Sequence, residues 1–186
     1  MKGNETKFKN SRNSFVSEKT IIHYSISKCP LGWLGLAATE NGICFLQLDD
    51  KKDSLLKNLK LSFKNRLFAE AKNDKMFQRW ENAINRYLCG NAQLRKLPLE
   101  ISGTAFQRQV WDHLQKIPFG TLKSYSEVAK AIGKPKAVRA VASACANNNV
   151  SLLIPCHRVV RSDGSLAGYR WGIERKKNLL ALENCL

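Results

Sequence analysis

The sequence of 186 residues lacks the features that mark several common protein classes. None of its six cysteines belongs to a C-x-x-C pair, and its three histidines do not stand at zinc-ligand spacing from the cysteines. We therefore expect reduced thiols with no metal or other cofactor, rather than the disulfide framework of a small secreted protein. Residues 1–19 form no signal peptide, and the longest uncharged run, residues 140–157, contains three asparagines and a proline. We therefore expect a cytoplasmic protein with no membrane partner.

Acidic residues are also scarce. The chain has 31 lysines and arginines against 15 aspartates and glutamates, which gives a net charge of +16. A surplus of this size favours a polyanionic partner, and nucleic acid is the leading candidate. A generally basic protein with no nucleic-acid role is the alternative. Hydrophobic residues make up 44% of the chain, which is enough for a folded core.

The apolar pattern divides the chain into a tail and two domains. Residues 1–19 are basic and lack periodicity, which is typical of a flexible tail. Residues 20–98 combine a short strand, a hairpin that turns at Asn41–Gly42 and two amphipathic helices, so a mixed α/β domain is expected. An extended segment that holds Pro98 marks the boundary, and residues 99–186 are mainly helical. The predicted fold class is α+β.

Three helices are predicted at the start of the second domain. Capping boxes begin the first two helices, at Thr104 and at Ser124. The third helix is predicted over residues 134–146, because Pro135 suits the first turn of a helix. The second and third helices, joined by a short turn that contains Gly133, predict a helix-turn-helix.

The outer face of the predicted third helix is small, with one long cation in its middle. Recognition helices that read the major groove usually carry Asn, Gln and Arg side chains, which this face lacks apart from Arg139. A small face can approach a minor groove about 6 Å wide, and one inserted side chain can wedge base pairs apart. A plain surface helix is the alternative interpretation. The residues predicted to face DNA are Lys136, Arg139, Ala140 and Ser143.

One cysteine has two basic neighbours. Cys156 follows an apolar run and Pro155, and it precedes His157 and Arg158. The run is expected to keep this segment buried and extended, so that Cys156 and His157 point to opposite sides. A thiol beside basic groups is a candidate thiolate nucleophile. A structural cysteine buried in a strand is the alternative.

These residues carry a resemblance to a known family. About residues 102–183 resemble the 6-O-alkylguanine-DNA alkyltransferases, also called methylated-DNA–protein-cysteine methyltransferases, and most of all their bacterial members. The N-terminal half matches weakly, chiefly at residues 30–32 and the hairpin. The resemblance implies a ribonuclease-H-like first domain and a winged-helix-like second domain. The matching segments are Gly103–Gln107, Val110–Trp111, Ile117–Gly120, Ser124–Tyr125, Ala137–Val141, Asn148, Pro155–Val159, Gly168–Gly172, Leu179–Leu180 and Glu183.

The resemblance implies a DNA repair enzyme that works once. Members of this family bind duplex DNA through the minor groove, rotate the damaged guanine out of the stack and move its alkyl group to their own cysteine, which is not regenerated. The implied partner is therefore double-stranded DNA that contains 6-O-alkylguanine, and 4-O-alkylthymine is a second expected substrate. A monomer in the bacterial cytosol, associated with the nucleoid, is expected.

The resemblance also implies roles for single residues. Cys156 would accept the alkyl group, His157 would be its base through a bridging water, and Glu183 would orient the histidine. Arg139 would fill the gap left by the flipped base, and Asn148 would be the hinge between helix and site. The other implied site residues are Tyr125, near the guanine and its phosphate, and the substrate-pocket residues Pro155, Val159, Tyr169 and Arg170.

Three other functions stay open from the sequence. A non-catalytic binder of damaged DNA would lack the cysteine, so Cys156 argues against it. A helix-turn-helix regulator would have a polar recognition face, and a cysteine hydrolase would have an oxyanion site, but neither feature is evident. Two departures from the family pattern also matter. Thr39 and Cys44 stand where some members have zinc ligands, which predicts no structural zinc, and Arg170 leaves the tolerated alkyl size open.

Overall fold

Four strands form the sheet of the N-terminal half. The computed structural model describes residues 21–91, 93–94 and 96–185. Strands β1 (Ile21–Cys29), β2 (Gly32–Thr39) and β3 (Gly42–Asp49) run antiparallel to their neighbours, and β4 (Leu67–Glu70) adds parallel to β1. The strand order is β3-β2-β1-β4, and the predicted hairpin is confirmed. The sequence does not predict β4, because four residues are too few to show a period.

Two amphipathic helices pack against this sheet. Helix α1 (Lys52–Ser62) contacts β2 and β3, and helix α2 (Lys75–Leu88) contacts β1. The Asp74 carboxylate accepts hydrogen bonds from the first free amides of α2, and Gly90 ends the helix with a φ of 73° that suits glycine. Both helices lie where the apolar spacing predicts them.

Helices dominate the second half. Helix α3 (Ala105–Leu114) packs behind α4 (Tyr125–Ala131) and α5 (Val138–Ala146), and the indole of Trp111 donates to the Ala144 carbonyl at 2.9 Å. Both predicted capping boxes are present. Because Gly133 turns the chain between α4 and α5 with a φ of 72°, the predicted helix-turn-helix is confirmed.

The third of these helices begins later than predicted. Helix α5 starts at Val138, and residues 134–137 form a turn in which the Ala137 amide donates to the Lys134 carbonyl at 2.8 Å. Pro135 occupies the second position of that turn, which proline favours because its φ is already set. Lys136 is therefore an exposed turn residue and not part of the outer face of the helix.

The remaining elements join the two halves. Strands β5 (Lys123–Ser124) and β6 (Val159–Val160) pair in parallel, and helix α6 (Ile173–Leu182) follows an irregular segment. Strand β3 also forms two isolated bridges to the second half, at Leu99 and Val150. One hydrophobic cluster contains residues of both halves, so the sheet supports the helices that carry the site.

Two predictions about organisation are not tested by this arrangement. The boundary between residues 98 and 99 stays a prediction, and the predicted tail, residues 1–19, lies outside the described residues. Within the part of the chain that the structure describes, no helix is both long enough and apolar enough to cross a membrane.

Candidate active site

Cys156 lies in a buried helical turn rather than in extended chain. Residues 151–153 form a turn in which Leu152 has a φ of 66°, and Cys156–Arg158 form a single 3-10 turn. The segment is largely buried as predicted, but the prediction that it is extended is wrong. A short apolar run reports burial without deciding between a strand and a turn, and the pairing with β3 ends at Val150.

Asn148 holds this turn closed and contacts the thiol. Its side-chain amide donates to the Ile154 carbonyl at 3.0 Å and to Cys156 Sγ at 3.3 Å, and its Oδ1 accepts from the Val150 amide at 2.8 Å. The side chain is completely buried and directly follows Asn147, the C-cap of α5. Asn148 therefore connects α5 to the cysteine, as its implied position requires, while its hinge role stays a prediction.

His157 and Glu183 meet in the protein interior. Nε2 of His157 lies 3.1 Å from Oε1 of Glu183, and both side chains are fully buried. Nδ1 of His157 is buried as well, and it has no hydrogen-bond partner among the described residues. Glu183 is the C-cap of α6, one turn after Leu179, so the helix brings the carboxylate to the histidine.

Two side chains to which the sequence analysis assigned no site role also bind Glu183. Arg158 donates to both carboxylate oxygens at 2.8 Å, and its third guanidinium nitrogen donates to the Ile117 carbonyl at 2.6 Å. The Tyr87 hydroxyl donates to Oε1 at 2.6 Å. Tyr87 is hidden in the apolar stripe of α2, whereas the charge of Arg158 beside His157 is a signal that could have identified it.

Burial and hydrogen bonding set the protonation states of this cluster. Burial opposes ionisation of Glu183, but hydrogen bonds from His157 and Arg158 outweigh it and hold the pKa of the carboxyl well below its usual value. Burial lowers the pKa of His157, so its ring is neutral at neutral pH. Since a carboxylate only accepts hydrogen bonds, Nε2 carries the hydrogen and Nδ1 is the basic nitrogen.

The thiol of Cys156 is protonated at rest. Burial raises the pKa of Cys156 to about 11, although the Asn148 amide and the charge of Lys176 favour the thiolate. A reaction at this sulfur therefore needs a base. Lys176 is itself completely buried, and its Nζ donates to the Val159 carbonyl at 2.6 Å. The sequence does not single out Lys176, because it stands in a basic run that is typical of a solvated helix.

The short strands β5 and β6 bring Tyr125 beside the cysteine turn. Ser124 pairs with Val160, and Tyr125 follows directly as the first residue of α4. Its side chain is largely buried. Burial raises the pKa of Tyr125 to about 12, so the phenol keeps its proton at neutral pH.

Tyr169 and Arg170 lie on the irregular segment between β6 and α6. The Tyr169 hydroxyl lies 3.4 Å from Oγ of Ser151, and its ring packs edge-on against Trp171 with centroids 4.9 Å apart. Arg170 donates to Oδ1 of Asn149 at 3.0 Å, next to the C-terminal end of α5. The structure therefore places both residues beside the segment that leads to Cys156.

Pro155 and Val159 flank the cysteine turn. Pro155 lines a cleft of about 480 Å³ together with Arg158, and Val159 is completely buried in β6. Both residues thus frame the turn, and their contact with a substrate stays a prediction.

Helix α5 presents the small outer face that the sequence predicts. Arg139, Ala140 and Ser143 are exposed, and Arg139 forms no ion pair within the described part of the chain. The opposite face packs inward. Its buried residues are Val141, Ala144 and Cys145. Among the described residues, no three His, Cys, Asp or Glu side chains come together as metal ligands.

Family models cover most of the chain. A model described as "6-O-methylguanine DNA methyltransferase, ribonuclease-like domain" matches residues 22–101. A second, described as "6-O-methylguanine DNA methyltransferase, DNA binding domain", matches residues 105–185. The chain therefore belongs to the 6-O-methylguanine DNA methyltransferase family. The resemblance, which is strongest in the sequence over about residues 102–183, thus extends to the N-terminal half. The predicted α+β fold, in which a sheet domain is followed by a helical domain, is confirmed.

The relatives of this chain differ in length. It is 48% identical to the Escherichia coli protein named "Bifunctional transcriptional activator/DNA repair enzyme Ada", over 89% of this chain and 46% of that protein. The chain thus spans about half the length of that relative. It is 37% identical to a Methanosarcina barkeri "Methylated-DNA--protein-cysteine methyltransferase", over 87% of this chain and 97% of the relative. The solved structure of Mycobacterium tuberculosis OGT in complex with DNA superposes with a TM-score of 0.73 at 34% identity, over 87% and 92% of the two chains.

Proposed function

We propose that this chain is a DNA repair methyltransferase that acts once, transferring the alkyl group of 6-O-alkylguanine in duplex DNA to its own Cys156. The relatives named as methylated-DNA–protein-cysteine methyltransferases and the relative solved with DNA support this activity and this partner. The observation that carries the proposal is the thiol of Cys156, hydrogen-bonded by Asn148 in the turn that also holds the His157–Glu183 pair.

The transfer is a direct displacement at carbon. The sulfur of Cys156 forms a bond to the alkyl carbon as the bond between that carbon and the guanine oxygen breaks. The thiol proton passes through a bridging water to Nδ1 of His157, and Glu183 stabilises the resulting imidazolium. The guanine anion takes a proton from the Tyr125 hydroxyl, which regains one from the imidazolium through solvent. The products are neutral guanine and a thioether on Cys156, and formation of this thioether is irreversible.

Base access requires the alkylated nucleotide to leave the duplex. Cys156 is only 4% exposed, and we propose that the reacting base enters between the cysteine turn and the irregular segment that carries Tyr169 and Arg170. Extrusion costs a few kcal/mol, and less for a poorly paired base. The outer face of α5 suits the minor groove, where Arg139 would occupy the space that the base leaves. Lys136 would add a phosphate contact from the turn before α5.

The finer parts of the proposal concern substrate range and setting. The thymine lesion 4-O-alkylthymine presents the same oxygen-bound alkyl carbon to the thiol, so we include it as a second substrate. We further propose that the chain acts as a monomer in the bacterial cytosol at the nucleoid, where its net charge of +16 favours DNA.

A transfer assay tests the activity directly. Purified protein is mixed with duplex DNA that carries 6-O-methylguanine with a radioactive methyl group. We expect labelling of the protein at one methyl group per chain, with the label on the peptide that contains Cys156. Cys156→Ser should abolish labelling, because a hydroxyl is far less acidic and nucleophilic than a thiol. Binding of the modified duplex should persist, since the substitution leaves the charged surface unchanged.

Cys145→Ser is the matched control. Cys145 is also buried, and burial raises its pKa too, but no side chain donates a hydrogen bond to its sulfur among the described residues. Its variant should label normally. Label that appears on Cys145 or Cys185 would overturn the assignment of Cys156, and a chain that takes up no label from the duplex would overturn the proposed activity.

A further inference from the structure

Tyr87 is the residue in the Glu183 cluster that comes from the N-terminal half. It lies on α2, and its side chain is 2% exposed. Its hydroxyl donates to Oε1 of Glu183 at 2.6 Å and lies 3.5 Å from Nε2 of His157. Burial and the Glu183 carboxylate raise the pKa of Tyr87, so the hydroxyl keeps its proton and remains a donor. Two donors, a phenol and an imidazole, thus meet at one carboxylate oxygen.

This shared oxygen controls how His157 is held. Oε1 also accepts from Arg158 at 2.8 Å, so three donors spread its negative charge. Each hydrogen bond donated to the carboxylate weakens the electrostatic stabilisation that Glu183 gives to a protonated His157. The Tyr87 ring also packs edge-on against Phe119, with centroids 6.4 Å apart. The carboxylate therefore has one orientation and a moderated basicity.

We propose that Tyr87 is a positioning residue for alkyl transfer, which fixes Glu183 so that His157 keeps Nε2 as a donor and Nδ1 free to take the proton of Cys156. This inference rests on the proposed function. It gives the N-terminal half a part in the chemistry, although every site residue predicted from the sequence lies at residue 125 or beyond.

The environment of His157 decides the sign of the expected effect. The charged and titratable groups around it are Glu183 and Lys176 from α6 and its end, Arg158 and Cys156 from its own turn, and Tyr87 from α2. In Tyr87→Phe only one donor to Glu183 is removed, so the carboxylate attracts the imidazolium more strongly. The pKa of His157 should rise, and neutral base should be lost at higher pH than in the wild type.

The test is the rate of a single turnover on methylated duplex between about pH 5 and 9. For Tyr87→Phe we expect the acid limb of the profile to move up by about one pH unit, which is about a tenfold slower transfer on that limb. At pH values above the acid limb, the transfer rates of Tyr87→Phe and of the wild type should converge. A titration of the His157 ring by NMR should show the same upward shift in the protein without DNA.

Two variants separate positioning from structure. Tyr24→Phe removes a phenol from β1, away from the cluster, and should leave the profile unchanged. Phe119→Leu loosens the packing against the Tyr87 ring but keeps the Tyr87 hydroxyl. This variant should therefore lower the stability of the fold without moving the acid limb. Superposition of the Tyr87→Phe and wild-type profiles would refute the positioning role while labelling of the wild type still supported the proposed function. Absence of labelling in the wild type would instead refute the function, and the inference with it.

Discussion

The two parts of the proposed site are built in opposite ways. Around Glu183 the side chains are buried, and His157 Nδ1 is the one polar atom of this cluster without a partner among the described residues. On α5 the outer face is exposed, and Arg139 binds no acidic side chain of the described chain. Proton transfer needs groups fixed in advance in a medium of low dielectric, whereas DNA binding needs groups that are free to meet phosphate and base. The contrast therefore follows the division between chemistry and recognition.

The largest effect should come from breaking the buried part. Glu183→Gln leaves the guanidinium of Arg158, which is 12% exposed, without its carboxylate. We expect a loss of about 3 kcal/mol in the free energy of unfolding, because removal of one partner leaves a buried charge uncompensated. Urea denaturation at neutral pH measures this loss. The transfer rate should fall as well, since His157 loses the group that stabilises its protonated form.

Glu174→Gln is the control for this loss. Glu174 pairs with Lys177 on the exposed side of α6, so its replacement should cost less than about 0.5 kcal/mol. If both variants lost the same small amount, the buried cluster would not be the rigid part of the site, and the contrast with α5 would fail.

The sequence predicts the exposed part of the site better than the buried part. The spacing of Val141, Ala144 and Cys145 reveals which face of α5 is buried, because a helix repeats regularly and neighbours along it are local. The missed start of α5 is also local, since Pro135 suits a turn as well as a helix. Such features depend on a few consecutive residues.

The buried part depends on contacts that sequence spacing does not encode. Tyr87 and Glu183 are 96 positions apart and meet because α2 and the end of α6 pack on one core. Periodicity identifies Tyr87 as apolar and Lys176 as solvated, and the fold makes the first a donor and buries the second. The pairing of His157 with Glu183 comes instead from the resemblance to a family, together with the need of a buried carboxylate for a partner.

The second effect concerns the exposed face and should appear only in the context of a duplex. Arg139→Ala should slow transfer from duplex DNA about tenfold, because nothing then fills the gap left by the flipped base. Transfer from free 6-O-methylguanine should stay close to the wild-type rate, since no duplex has to open. Single-turnover rates on both substrates give the comparison. Arg79→Ala, which removes an exposed arginine from α2, should change neither rate. Equal slowing on the two substrates would contradict the wedge role and show that Arg139 acts on the chemistry.

The smallest effect concerns the pH dependence of stability in the buried part. Burial lowers the pKa of His157, so below about pH 6.5, the value for an unfolded histidine, the unfolded chain binds a proton that the folded protein excludes. Stability is therefore complete above that pH and is lost as the pH falls below it. Between about pH 7.5 and 5.5 this loss should be about 1 kcal/mol.

Urea denaturation at the two pH values should show that His157→Gln abolishes this loss in the free energy of unfolding. His113→Gln should retain most of it, because His113 is only partly buried, although burial also lowers the pKa of this residue. An equal change in both variants would mean that the interior around Glu183 excludes protons no better than the edge of α3. The electrostatic difference between the closed and the open part of the site would then disappear, while their difference in exposure would remain.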